Sequence, residues 1–366
     1  MIRLIPFTGF LGSGKTTTAI ATATALQEQG HRVAVITNDQ GTDLVDTELA
    51  RTELDSVAEV TGGCFCCRFD ELVGQIVRLT DNGQADTVIA EAVGSCTDLQ
   101  ATVVRPLRAL YGDRFTVAPL TTVVDPARWH AFQQVRAQDG QESDLSYLFH
   151  RQLAEADVIA CNKADMLTPD ARAELEDGLR AAHPDSSVLT YSALTGDRLA
   201  DLVDAWTQVP GSGRTVDVDY DRYAAAEAAL AWLNQTVAVS AANGALDPDA
   251  WARAVLTHLS NWCADQTVVM GHAKIVVTAA EGIAKLSVTQ HGEPPHTDRS
   301  IGHPTNNAAA TVNARVACAP EELDAAITHA IRHADERAGA VSAPGPSTAF
   351  APAYPQPVHR MRESDE

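Results

Sequence analysis

Short apolar runs alternate with amphipathic stretches through residue 210. Runs at 3–7, 33–37, 57–60, 87–91, 116–124, 158–161 and 188–191 have strand length, and several are apolar throughout, as in a sheet buried on both faces. Between them, 16–29, 70–80, 145–155, 169–182 and 199–208 carry helical spacing, with Gly30 where a helix end favours a left-handed residue. This alternation predicts an α/β domain over 1–210 with a mostly parallel, doubly wound sheet. The stretch Pro210-Gly-Ser-Gly-Arg214 reads as a linker. Beyond it the pattern changes to strands at 230–240, 268–278, 283–290 and 310–318, with helices at 248–263 and 320–337. That is a small α+β domain over 215–337 with an antiparallel sheet. Residues 338–366 hold five of the 17 prolines and are expected to be a disordered tail.

Composition narrows the class. At 45% hydrophobic residues the chain can bury a core, and a net charge of −21 (27 basic against 48 acidic residues) argues against nucleic-acid or anionic-membrane partners. No run reaches the ~18 apolar residues of a membrane span, and the opening MIRLIPFTGF lacks the features of a secretory signal. The seven cysteines, three of them crowded together, fit thiolate chemistry in a reducing, cytoplasmic setting better than a disulfide frame. Only four of the basic residues are lysines: Lys15, Lys163, Lys274 and Lys285.

Gly9-Phe-Leu-Gly12-Ser13-Gly14-Lys15-Thr16 matches GxxxxGK(S/T) between an apolar strand and a helix. Phosphates need backbone N–H groups at close range and a helix N-terminus aimed at their charge. Lys15 is expected on the β- and γ-phosphates, Thr16 on Mg²⁺ and Thr17 beside them. Asn162-Lys163-Ala164-Asp165 follows the strand VIAC, and a carboxylate at Asp165 can accept both N1–H and the exocyclic amine of guanine, a pair adenine does not offer. Ser192 and Ala193 end the next strand, where a backbone N–H can reach the base oxygen. GTP is therefore expected rather than ATP, and an ATP-using kinase is the weaker reading. Glu91, at the end of TVIAE, is a candidate for Mg²⁺ with the Gly94 amide near the γ-phosphate; Asp39, in Asn38-Asp39-Gln40-Gly41, is a second magnesium candidate or a turn-forming residue.

Gly62-Gly63-Cys64-Phe65-Cys66-Cys67 places three thiols within four residues, a donor set for a soft or borderline cation. Cys96 follows a different strand end, where it offers a fourth thiolate or a buried structural cysteine. Buried structural thiols and a redox pair are the alternatives for the triplet. In a doubly wound sheet, all these segments gather at the carboxyl ends of the strands.

The set resembles the CobW-like P-loop GTPases, relatives of the HypB and UreG metal-insertion proteins. The matching segments are GFLGSGKTT (9–17), ITNDQG (36–41), GGCFCC (62–67), VIAEAVG (88–94), QLAEADVIACNKAD (152–165) and YSALTGD (191–197), in order over residues 2–210. The resemblance implies GTP hydrolysis coupled to delivery of a transition metal, zinc or cobalt, held by Cys64, Cys66 and Cys67; with no obvious arginine finger or general base in the sequence, turnover is expected to be slow. It also implies an acceptor apo-metalloprotein or cofactor-synthesis enzyme, and nucleotide-dependent homodimers. Two segments depart from the family pattern: EAVGSCTDL stands for ExSGxAxP, and NDQG for NEFG. The competing reading is a regulatory GTP switch with structural cysteines.

In the second domain, Lys274 and His272 share one strand face, as do Lys285 and Ser287 on the next strand and Asn313 and Arg315 on the last. The opposite positions are apolar. A polar, locally basic face is expected, either plainly solvated or docking an acidic partner. His291, His296 and His303 are expected in a loop.

Overall fold

The computed structural model describes residues 1–40, 45–81, 83–139 and 142–363. The chain divides into two compact units: Met1–Gln40 with Asp46–Ala226 and the residues from Tyr354 onward form the first, and Glu227–Ala353 forms the body of the second.

In the first unit the strands are β1 (Ile2–Thr8), β2 (Val33–Asn38), β3 (Val57–Val60), β4 (Thr87–Glu91), β5 (Phe115–Val117), β6 (Thr121–Val124), β7 (Val158–Cys161) and β8 (Ser187–Thr190). They pair in parallel in the order β3-β2-β4-β1-β6-β7-β8, with β5 also on β1. The single run expected at 116–124 is thus two strands. Pro119 lacks the N–H a continuous ladder needs, and the break lets β5 pair with Ile2–Leu4 and β6 with Phe7 and Thr8. The connecting helices are α1 (Lys15–Glu28), α2 (Val45–Glu53), α3 (Phe69–Asp81), α4 (Arg105–Tyr111), α5 (Pro126–Asp139), α6 (Asp144–Ala154), α7 (Pro169–Ala182), α8 (Leu199–Gln208) and α9 (Tyr220–Ala228). On one face Ala19, Ala23 and Leu26 of α1 and Leu202 and Trp206 of α8 pack on Ile5, Phe7, Ile89 and Ala160. Thr18 and Thr22 are buried in α1 without penalty, because their hydroxyls donate back to the carbonyls of Gly14 and Thr18 at 2.9 and 2.7 Å.

The Pro-Gly stretch at 210–214 is no loose linker. Asp157 accepts from the Ser212 N–H at 3.0 Å, Arg105 donates to the Gly213 carbonyl at 3.1 Å and Arg214 to that of Ala154 at 3.1 Å, so the first unit runs on to Ala226.

The second unit holds β9 (Ala231–Ala241), α10 (Pro248–Gln266), β10 (Met270–Ala279), β11 (Gly282–Val288), β12 (His296–Arg299), β13 (Asn307–Val316), α11 (Pro320–Ala338) and β14 (Ala340–Phe350). Its antiparallel sheet runs β12-β11-β10-β13-β9-β14. Leu233, Val237, Ile275, Val277, Leu286 and Val312 turn to one side, where Trp251, Val255, Leu259, Ile327 and Ile331 of α10 and α11 cover them.

Three expectations for this region are corrected. The tail expected to be disordered contains β14, which pairs with β9 as an edge strand; an edge tolerates Pro344 and Pro346, and the ladder shifts register there. His296 lies in β12 rather than a loop, its Nδ1 3.0 Å from Asp298 Oδ1. The polar sheet face is not a plainly solvated one: His272, Lys285, Asn313 and Arg315 are buried, while Lys274 and Ser287 are half-buried. Arg315 lies over the Trp232 ring at 4.1 Å and donates to the Leu233 carbonyl and to Asn234 Oδ1, which also accepts from Asn313 Nδ2 at 3.0 Å. Such a cation is tolerated inside because stacking and hydrogen bonds replace its water. No helix among the described residues is long and apolar enough to cross a membrane.

Candidate nucleotide and metal site

The loop between β1 and α1 needs its glycines. Gly14 sits at φ +89°, and a Cβ there would lie 2.3 Å from Asn162 Nδ2; at Gly9 a Cβ would lie 2.2 Å from the Val123 carbonyl oxygen. The helix opens at Lys15 with no side chain capping its first turn and no acidic residue in it, so its N-terminal amides face the loop uncapped. Lys15 is buried and donates to the carbonyl oxygens of Gly9 at 2.8 Å and Phe10 at 3.4 Å, while the buried Ser13 hydroxyl has no hydrogen-bond partner among the described residues. Thr16 Oγ1 donates to Glu91 Oε1 at 2.8 Å. A hydroxyl and a carboxylate thus meet at the strand ends, the hard oxygen pair that suits Mg²⁺. Gly12 borders this loop at φ +81°, and Thr17 lies half-buried on the first turn of α1.

At the far end of the cleft, the NKAD residues play different parts. Asn162 donates to the Ser13 carbonyl at 3.1 Å and accepts from the Ala193 N–H at 2.9 Å, tying the phosphate loop to the segment after β8. Lys163, itself at φ +59°, reaches back to the Gly12 carbonyl at 3.0 Å and pairs with Asp125 at 2.6 Å. The Asp165 carboxylate is exposed and engages no partner among the described residues. The Ser192 N–H goes to the Asp197 carbonyl at 2.9 Å and the Ala193 N–H to Asn162. Both amides expected on a base are therefore occupied in shaping their loop.

The cysteine loop is held by the end of β2. Asn38 Nδ2 donates to the carbonyls of Val60 and Gly63 at 2.9 and 2.8 Å, and its Oδ1 accepts from the Phe65 N–H at 2.9 Å. The Cys67 and Arg68 amides close on the Cys64 carbonyl, so the loop runs as a turn into α3. Three thiols converge: Cys64 Sγ lies 2.6 Å from Cys66 Sγ and 3.3 Å from Cys67 Sγ, and Cys66 Sγ 3.8 Å from Cys67 Sγ. All three sulfurs fall within 4.8 Å of one another, the one such ligand group of its kind among the described residues. Cys96 Sγ lies 3.8 Å from Cys66 Sγ. Hydrogen bonding of the Cys66 thiol with the Cys64, Cys67 and Cys96 sulfurs, together with burial, raises the Cys66 pKa; the Cys64 thiol and burial push Cys67 up to about 11. Without a cation Cys66 and Cys67 are thus held towards their thiol forms, and a thiophilic ion must displace those protons. Asp39 stands half-buried one residue beyond Asn38, its N–H on the Val60 carbonyl at 3.2 Å; Gly41 lies outside the described residues.

A profile of the CobW/HypB/UreG nucleotide-binding domain matches residues 4–190. The chain belongs to the CobW/HypB/UreG family. It is 33% identical over 205 residues to the zinc chaperone CobW of Pseudomonas aeruginosa, an alignment covering 48% of this chain and 53% of that one. Against the zinc chaperone YeiR of Escherichia coli K12 it is 30% identical over 179 residues, covering 48% and 51%. The chain thus spans about half the length of the curated relatives it matches. Among solved structures, the Zn(II)-bound YjiA GTPase from E. coli aligns over 90% of this chain and 98% of its own, at 17% identity and a TM-score of 0.38.

The segment EAVGSCTDL, which departs from ExSGxAxP, is clamped by the end of α6. Gln152 Nε2 donates to the Gly94 and Cys96 carbonyls at 3.0 and 2.9 Å, and Glu155 accepts from the Thr97 hydroxyl at 2.9 Å and the Gln100 N–H at 3.0 Å. QLAEAD was legible as a motif, but nothing in its letters said which loop it grips. Burial pushes the Glu155 carboxyl up to about 8, with the Asp98 charge adding to it. The folded chain therefore holds a proton that the unfolded chain releases. The resulting stability is complete below about pH 4.5 and is lost as the pH rises towards 8. The stability difference between wild type and Glu155→Gln should accordingly fall by up to ~1.4 kcal/mol per pH unit across that window. Urea unfolding of both proteins at pH 5.5 and 7.5 measures it; an unchanged difference would remove the protonated Glu155.

Proposed function

We propose that this protein is a GTP-hydrolysing metallochaperone that carries Zn²⁺ or Co²⁺ on Cys64, Cys66 and Cys67, with Cys96 as the nearest further thiol, and passes it to an acceptor protein. The carrying observation is the placement of a converged thiol set and a phosphate loop at the carboxyl ends of one parallel sheet, with Asn38 joining the strand that precedes Asp39 to the cysteine loop. Lys15 and the amides of residues 12–16 would hold the phosphates, and Asp165 the guanine edge. Thr16 and Glu91, with Asp39 nearby, would hold Mg²⁺, which neutralises charge on the β- and γ-phosphates. The chain's own part is to orient the nucleotide and keep Lys15 and the Gly94 amide beside the bond that breaks. Hydrolysis then resets the segment beyond Asn38. Thiolate donors favour zinc or cobalt over harder cations.

The burial of Cys64, Cys66 and Cys96 favours a second reading, a regulatory GTP switch with structural cysteines. One experiment separates the two. Co²⁺ is titrated under reducing conditions, with and without a non-hydrolysable GTP analogue and Mg²⁺, following the thiolate–Co²⁺ band. The chaperone reading expects the analogue to change Co²⁺ affinity by ~5–150-fold, and the metal to change nucleotide affinity by the same factor. Binding that ignores the nucleotide, or no band in the wild type, would leave the switch.

A further inference from the structure

Residues 354–363, expected to be part of a disordered tail, belong to the first unit and lie across the cysteine loop. The Gln356 N–H donates to Cys67 Sγ at 3.2 Å, and the Val358 N–H to the Cys66 carbonyl at 2.9 Å. His359 stands edge-on to Phe69, the first residue of α3, at 4.9 Å. Arg360 Nε donates to Asp98 Oδ2 at 2.7 Å and lies over the Tyr220 ring at 4.7 Å, while the Tyr220 hydroxyl donates to the same carboxylate oxygen at 2.8 Å. The Met361 N–H goes to the Ala101 carbonyl at 2.8 Å, and Glu363 accepts from the Thr215 N–H at 2.9 Å.

We propose that residues 354–363 are a positioning strap of the thiol site, which orients Cys67, closes the site and sets the rate at which a metal ion enters and leaves it. The inference rests on the metallochaperone reading for the identity of the cargo, but the contacts of the strap with Cys66 and Cys67 stand without it. Two of the strap's backbone donors fall on two successive residues of the triplet, one on a sulfur and one on a carbonyl. The composition of Tyr354-Pro355-Gln356-Pro357 suits a strap, because flanking prolines hold the backbone extended and Gln356 supplies the N–H that a third proline would lack. An N–H bond to a ligating sulfur is the kind of outer contact that orients a ligand and tunes its metal. Arg360 fastens the strap. Asp98 is buried at a left-handed φ of +64°, four residues beyond Gly94, so the bolt is anchored in the loop that Gln152 and Glu155 clamp. For cargo to reach an acceptor, these contacts must open.

The test uses the full chain in four forms: wild type, Arg360→Ala, Arg360→Lys and Gln356→Pro. Co²⁺-loaded protein is mixed with excess chelator and decay of the thiolate–Co²⁺ band is followed; in parallel, metal-free protein is alkylated and modification of Cys66 and Cys67 is timed by mass spectrometry. Gln356→Pro removes one N–H without leaving a buried charge, so it stays informative should Arg360→Ala fold poorly. Loss of a single net hydrogen bond corresponds to about tenfold. Metal release and alkylation of Cys67 should therefore each quicken about tenfold in Gln356→Pro, with a shifted Co²⁺ band. Arg360→Ala should quicken both, and Arg360→Lys should recover part of the loss. Wild-type release and alkylation rates in both Gln356→Pro and Arg360→Ala would overturn the strap. A protein that shows no thiolate–Co²⁺ band in any form would instead defeat the metallochaperone reading, and the alkylation rates alone would then uphold or overturn the closure.

Discussion

Replacing Lys15 by alanine should lower GTP turnover by ~10²–10³-fold while leaving the fold intact, the scale of removing one preorganised donor from a developing phosphate charge. The ammonium is already buried at the mouth of the loop, 2.8 Å from the Gly9 carbonyl, so a bound triphosphate would meet a charge in place rather than recruit one. Its surroundings are close-fitting: a Cβ at Gly94 would lie 3.0 Å from Lys15 Nζ and 2.7 Å from Leu11 Cδ2. A compact ammonium is therefore required, and Lys15→Arg should fail to rescue, because a planar guanidinium needs more room than this corner offers. Steady-state turnover and nucleotide affinity, read beside thermal unfolding, decide the matter. Turnover within a few-fold of wild type in Lys15→Ala would remove this lysine from the phosphates.

Much of this site could be read from letters because its chemistry is local. The spacing of Gly9, Gly14, Lys15 and Thr16 determines a turn and a helix start, and the cysteine triplet converges because its residues are neighbours in sequence. The two sheets were likewise legible, since an apolar run and a period-two alternation each report which faces are covered. What could not be read was pairing across long separations. Asn38 precedes Phe65 by 27 positions, and its grip on the cysteine loop depends on β2 lying beside β3. Arg315 reads as a solvated cation because alternation marks the non-core face without saying whether anything covers it. The strand at Ala340–Phe350 was hidden by its own composition: prolines that bar a central strand are harmless on an edge, and edge position is a tertiary fact. Ser192 and Ala193 follow β8, but the destination of an amide proton is not written in the residue type.

Asn38 carries the other large expected effect, and a selective one. Its side chain satisfies two carbonyls and one N–H of the segment Val60–Phe65, the bonds to Val60 and Phe65 buried and that to Gly63 part-buried. Alanine there leaves the Gly63 carbonyl and the Phe65 N–H unpaired and the Val60 carbonyl with the Asp39 N–H alone, at a cost on the order of 2–3 kcal/mol of stability, and frees the loop that brings the three sulfurs together. Metal affinity should fall by ~10–100-fold, the usual weight of an outer contact that orients ligands. Nucleotide affinity should hold, because the phosphate loop is tied instead to Asn162 and Lys163. Aspartate should be no remedy. It keeps an acceptor for the Phe65 N–H but turns a carboxylate towards the Val60 and Gly63 carbonyls, replacing two hydrogen bonds with repulsion. Parallel titrations of Co²⁺ and a fluorescent GTP analogue on Asn38→Ala and Asn38→Asp test this. Equal losses of both ligands would mean the whole strand end has collapsed, and wild-type metal binding would show that the thiols need no support from β2. A loss confined to the metal would show that Asn38, which binds the end of β2 to the loop carrying Cys64, Cys66 and Cys67, supports the thiols without holding the phosphate loop.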